Sequence, residues 1–178
     1  MSLLRALAVA ALLLSAAPAR PAPAEYQVKA VFLFNFAQFV EWPAQSFEKP
    51  NAPFVIAVVG EDPFGAYLDA AVQGETVQGH PLVIKRYRTI DEVTPCQILY
   101  ISDSELARLE KILNSVEQRS VLTVSDIERS AERGAVIQFT NERNRLRLRI
   151  NVAAAKAAGL TISSKLLRPA EIVGDRQG

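Results

Sequence analysis

Few residues in this sequence could carry catalysis. His80 is the only histidine of the 178 residues, and Cys96 the only cysteine. A metal site would therefore need carboxylates to complete it, and neither an H-x-x-x-H nor a C-x-x-C spacing exists. A Ser-His-Asp arrangement is formally available. However, His80 stands before Pro81 in a turn-like loop, and no serine sits in a G-x-S-x-G elbow. Gly60-Glu61-Asp62-Pro63-Phe64-Gly65 follows an apolar run, where a phosphate loop would lie. It lacks the Lys-Ser/Thr pair and the G-x-G-x-x-G spacing, and it places two carboxylates where phosphate would approach. Asp62 and Asp69 lie seven apart, and nothing in their surroundings implies a raised pKa. No catalytic residue, cofactor or metal is implied.

Two other patterns suit binding. In Arg145-Leu146-Arg147-Leu148-Arg149-Ile150 strict alternation sends Arg145, Arg147 and Arg149 to one face of a strand and the apolar residues to the other. Such a face is either a charged edge that discourages aggregation or a basic stripe for an acidic protein surface. Tyr26 to Pro43, YQVKAVFLFNFAQFVEWP, carries four phenylalanines and Trp42 between Phe32 and Trp42. On a helical wheel Val28, Val31, Phe32, Asn35 and Phe39 make one face, and Ala30, Leu33, Ala37 and Val40 another. A helix apolar nearly all round is wrapped in a core, or is buried by its own domain on one side and a partner on the other. Lys29, Asn35, Gln38 and Glu41 interrupt it too often for a membrane span.

The segment before it reads as a secretory signal. Arg5, an apolar run from Ala6 to Leu14 and the ending Ala22-Pro23-Ala24 predict cleavage after Ala24, and the run is too short to span a bilayer. Removing residues 1–24 takes two arginines and no acid from a chain of 20 bases and 19 acids, which leaves a formal charge of −1. This balance and an exported location argue against nucleic acid. An exported chain with one cysteine cannot form an internal disulfide. Cys96 reads as a buried inert thiol, with an intermolecular bridge or a reactive site as the other readings.

The remaining chain, 25–173, is expected to be a single α/β domain, with 174–178 a frayed tail. Phe54–Gly60 is a nearly continuous apolar strand, Glu61-Asp62-Pro63 opens a short helix, and QGETVQGH is a turn. PLVIKRY, QILYIS and SVLTVSD are further strands. Thr89–Pro95 is a short helical turn. Ser102 to Val116 is a helix with Leu106, Leu109, Ile112, Leu113 and Val116 at helical spacing, and Asp126–Arg133 a shorter one ending at Gly134. AVIQFT and RLRLRIN form a hairpin about a four-residue loop, Asn141–Asn144. Val152–Ala158 is a helix stopped by Gly159. The alternation predicts a mostly parallel five- to six-stranded sheet flanked by helices, with an antiparallel C-terminal hairpin at its edge.

The stretches YQVKAVFLFNFAQFVEWP, VVGEDPFG, VQGHPLVIKRY, CQILYIS, SVLTVSD and NRLRLRINVAAAKAAGLTISSKLL, in this order, resemble the YfiR family of small exported proteins. The resemblance runs from about Tyr26 to Val173. It implies a periplasmic, often dimeric α/β protein that represses an inner-membrane diguanylate cyclase by binding its periplasmic part, and is relieved through an outer-membrane lipoprotein or redox stress. Phe36 and Trp42 match the first motif of the family, and Asn151, Ser163, Ser164, Lys165 and Leu166 its last. Cys96 matches a cysteine common before the third strand. Ala57 stands where related chains can carry another, so redox sensing through an internal bridge does not carry over.

Together these readings give a non-catalytic module that docks on the periplasmic region of a diguanylate cyclase or a sensor kinase. Phe32, Phe36, Phe39 and Trp42 would supply apolar contact, and Arg145, Arg147 and Arg149 orientation. A homodimer is expected. The alternative is a small-ligand binder with its pocket at Gly60, Glu61, Asp62, Phe64 and Ser102, beyond the ends of the parallel strands.

Overall fold

The structure, a computed structural model, describes residues 23–174. All but the last two residues of the predicted signal peptide, and residues 175–178 of the predicted tail, lie outside the described residues. The aromatic stretch forms α1 (Pro23–Phe39), which Val40 and Glu41 leave as β1 (Val40–Glu41). There follow β2 (Phe54–Val59), α2 (Ala66–Val72), β3 (Thr76–Val77), β4 (His80–Tyr87), β5 (Ile98–Ile101) and α3 (Leu109–Ser115). The chain continues with β6 (Leu122–Ser125), β7 (Ile137–Glu142), β8 (Arg145–Asn151), α4 (Val152–Ala157), β9 (Thr161–Ile162), α5 (Ser164–Leu167) and β10 (Glu171–Val173).

Eight strands make one sheet in the order β10-β8-β7-β6-β5-β2-β4-β3, and β1 pairs with β9 apart from it. From β4 through β2, β5 and β6 to β7 all pairings are parallel. These five strands follow the order 2-1-3-4-5 of a doubly wound sheet, with the reversal between β2 and β5. Every residue of β2 is buried because both faces are covered. Ile56 and Val58 enter the core beneath α1 and α2, while Val55, Ala57 and Val59 enter a second core beneath α3. The chain therefore leaves β2 and β5 toward opposite faces.

The fold class is the one expected, and the details differ where side-chain period carries no signal. The hairpin is not at the edge, because β10 pairs in parallel with β8, Glu171 opposite Arg149. Its loop is two residues long: Arg143 and Asn144 both take left-handed φ, 50° and 60°, and Glu142 pairs with Arg145. The stretch predicted as a helix over Asp126–Arg133 is a series of turns, with Arg129 at φ 58°. QGETVQGH contains β3 and its tight return into β4. The loop Gly60–Gly65 holds no helix; the Asp62 carboxylate accepts from the Phe64 N–H, and α2 starts only at Ala66. A 3₁₀ segment, Asp103–Arg108, precedes α3, which leaves Leu106 exposed while Leu109 and Ile112 fill the core.

Candidate functional site

Helix α1 lies along the sheet with its first turns over the C-terminal strand ends and its last turn over the N-terminal ends. Tyr26 meets Phe64, beyond β2, at 5.3 Å between ring centroids, whereas Trp42 donates from Nε1 to the Gln97 carbonyl, just before β5. Ala30, Leu33, Phe36 and Ala37 make the inward face. Phe36 is 0% exposed and stacks on Phe139, so it supports the sheet and offers no surface. Phe32 and Phe39 are half-buried at the helix flanks, and Trp42 is half-buried edge-on to Phe54. What α1 shows to the outside is Val28 and Val31, 47% and 51% exposed, between Gln27 and Gln38.

The three arginines sit on the other face of the sheet. Leu146, Leu148 and Ile150 point into the core beneath α1, so alternation turns Arg145, Arg147 and Arg149 away from it. Arg145 and Arg147 are exposed and make no ion pair among the described residues. Arg149 is held between Glu132 and Glu171, which raises its pKa chiefly through the Glu171 hydrogen bond. The aromatic helix and the basic stripe thus do not share one flat surface.

The loops of the expected ligand pocket do come together, but they close on one another. Gly60 takes φ 91°, and a Cβ there would meet Ser104 Oγ at 2.5 Å and Glu105 Cγ at 2.8 Å. Ser104 Oγ accepts from the Glu61 N–H at 2.9 Å. Asp62 is taken by Arg86, which also binds Asp69 and holds its carboxyl below the usual range. Phe64 is 1% exposed, edge-on to Tyr100, and Ser102 is buried with its N–H on the Val59 carbonyl.

The constellation that sequence reasoning missed lies two strands away. Ser125 Oγ donates to the Ile101 carbonyl and accepts from the Ile127 N–H, which fixes the chain around Asp126 at the end of β6. Asp126 Oδ2 accepts from the Tyr26 hydroxyl at 2.8 Å and from Lys29 Nζ at 3.0 Å. Lys29, 2% exposed, also reaches Glu25 at 2.6 Å and lies 4.5 Å from the Tyr26 ring centroid. Burial first, and then the Asp126 charge, pushes the Tyr26 hydroxyl well above its ordinary value, and does the same to the buried Tyr100. A lysine on the inward face of an apolar helix was the available signal. Its partner, 97 residues away, was not legible.

No group of three or more His, Cys, Asp or Glu side chains among the described residues could hold a metal ion, and no helix there is long and apolar enough to cross a membrane. Asn151 caps α4 by accepting from the Ala154 N–H and ties the turns to the sheet through the Ala131 carbonyl; Ser163 caps α5. Both are structural devices. The structure is thus a doubly wound α/β sheet whose loops close at Gly60, with a half-exposed apolar helix and two exposed arginines on β8. The sequence model of the YfiR/HmsC-like family matches residues 26–171, and the chain belongs to that family. It matches none of the curated proteins compared with it.

Proposed function

We propose that this protein is a non-catalytic periplasmic regulator, exported by a cleaved signal peptide, that docks on the periplasmic region of an inner-membrane diguanylate cyclase and represses it, lowering cyclic-di-GMP. Membership of the YfiR/HmsC-like family carries the reading. Arg145 and Arg147, exposed and without an ion pair among the described residues, support it, because arginine forks suit the carboxylates of an acidic partner and orient its approach. A regulator shifts its target only by the difference in its affinity for the two states, so docking must favour the inactive cyclase. The outer strip of α1 around Val28 and Val31, flanked by Phe32 and Phe39, faces a second copy in this reading, since a homodimer interface favours apolar contact. An outer-membrane lipoprotein would relieve repression by competing for the domain. With a single cysteine, relief through an internal disulfide is closed to this chain.

The test is cellular cyclic-di-GMP after deletion of the gene and restoration with wild type or Arg147→Glu. A rise on deletion that wild type reverses and the variant does not is expected. Unchanged levels on deletion would remove the cyclase from the proposal and leave a sensor kinase as the target.

A further inference from the structure

The C-terminal strand ends hold a cavity of about 390 Å³ beside the first turns of α1, within the usual range for small-ligand sites. It is bounded by Tyr26, Lys29, Asp103, Asp126, Glu128 and Phe139, with Glu25 and the polar side chains of β7 completing the wall. Four carboxylates face one ammonium there, and that ammonium is already engaged by Glu25 and Asp126. The excess negative charge opposes phosphate or carboxylate ligands. Two oxygens of the wall, Asp126 Oδ1 and Thr140 Oγ1, are buried and have no hydrogen-bond partner among the described residues. Buried polar atoms are normally satisfied, so two orphan oxygens in the wall of one cavity point to a donor that enters it.

The carboxylates differ in depth. The Asp126 side chain is 11% exposed with its Oδ1 buried, while Asp103 and Glu128 are exposed at the rim and make no ion pair among the described residues. They do not converge closely enough for a metal ion. A point charge cannot serve both sets, whereas an extended cation can. The Tyr26 and Phe139 rings offer apolar wall to the methylenes between its charges.

We propose that this cavity binds a short aliphatic polyamine, one ammonium donating to Asp126 Oδ1 and another lying between Asp103 and Glu128. Neither the arginines of β8 nor Gly60, Glu61 and Asp62 line this cavity. Calorimetric titration of the purified protein with spermidine and with putrescine, at physiological salt, tests it. One saturable event per chain is expected, with resonances of Tyr26 and Phe139 shifting in parallel. Asp103→Asn combined with Glu128→Gln should weaken it by about tenfold, the loss of one charge-assisted contact, without changing the melting temperature of the free protein. Asp126→Asn should weaken it further, but that variant also disturbs Lys29, so the rim pair decides. Absence of heat up to millimolar polyamine would overturn the proposal, as would affinity unchanged in the rim variant or matched by magnesium or calcium chloride.

Discussion

Helix α1 turns most of its aromatic residues toward the sheet, while the β7–β8 hairpin turns its arginines away from it. Both stretches had the composition of a contact surface, and the structure uses them differently. In α1, Phe36 is part of the core and only Val28 and Val31 stand clear. In the hairpin, the aliphatic residues of β8 do the packing, which leaves Arg145 and Arg147 without structural duty. The lesson is that an aromatic-rich helix reports first on stability, whereas alternating arginines on a strand whose other face is packed report first on what comes from outside.

This contrast can be broken by substitution. Phe36→Ala should cost about 3–5 kcal/mol in urea unfolding, since it removes a fully buried ring stacked on Phe139. A cost below about 1 kcal/mol would mean that α1 is not seated by that face. Lys29→Met should cost about 3 kcal/mol by stranding Asp126, and adding Asp126→Asn should recover part of it, because the penalty lies in the unpaired charge. Titration sharpens the comparison at the same end of α1. Folding raises the Tyr26 and Tyr100 hydroxyls above their ordinary value of 10.0. The stabilisation is complete below that pH and declines as pH rises, by up to about 1.4 kcal/mol per unit for each tyrosine. Unfolding measured from pH 9 to 11 should show it, and Tyr26→Phe should flatten the slope.

On the hairpin the effects shrink. Arg149→Ala should cost about 1 kcal/mol through its two half-exposed ion pairs, and 1 M salt should remove most of that. Arg147→Glu should leave stability within about 0.5 kcal/mol of wild type, since the side chain is exposed and makes no ion pair among the described residues. Its affinity for the partner should nevertheless fall. A variant that unfolds instead would move the stripe into the same class as Phe36.

The strands with continuous or alternating apolar character were legible because burial on two faces, or on one, writes itself into the side-chain period. β2 and β8 show this directly. The two-residue turn at Arg143 and Asn144 carries no glycine to mark its left-handed backbone, so the loop looked longer than it is. β10 is three residues long, too short for a period, and its position beside β8 depends on the chain folding back. The candidate sites were less legible. The sequence placed Gly60, Asp62 and Ser102 together at the C-terminal end of the sheet, but it could not tell that Ser104 and Glu105 fill the space beside Gly60. Nor could it tell that Lys29, which looked like an interruption in a hydrophobic helix, is an ion held inside by Asp126.

The single thiol has a practical consequence. Cys96 lies buried against the core beneath α3, and burial pushes its pKa up to about 12, so at neutral pH it is neither accessible nor ionised. A thiol-reactive dye can therefore modify it only while that layer is open. The labelling rate of the unaltered protein is a stopwatch for its breathing, and adding a docking partner or an amine to the cuvette would reveal which of them holds the lid shut.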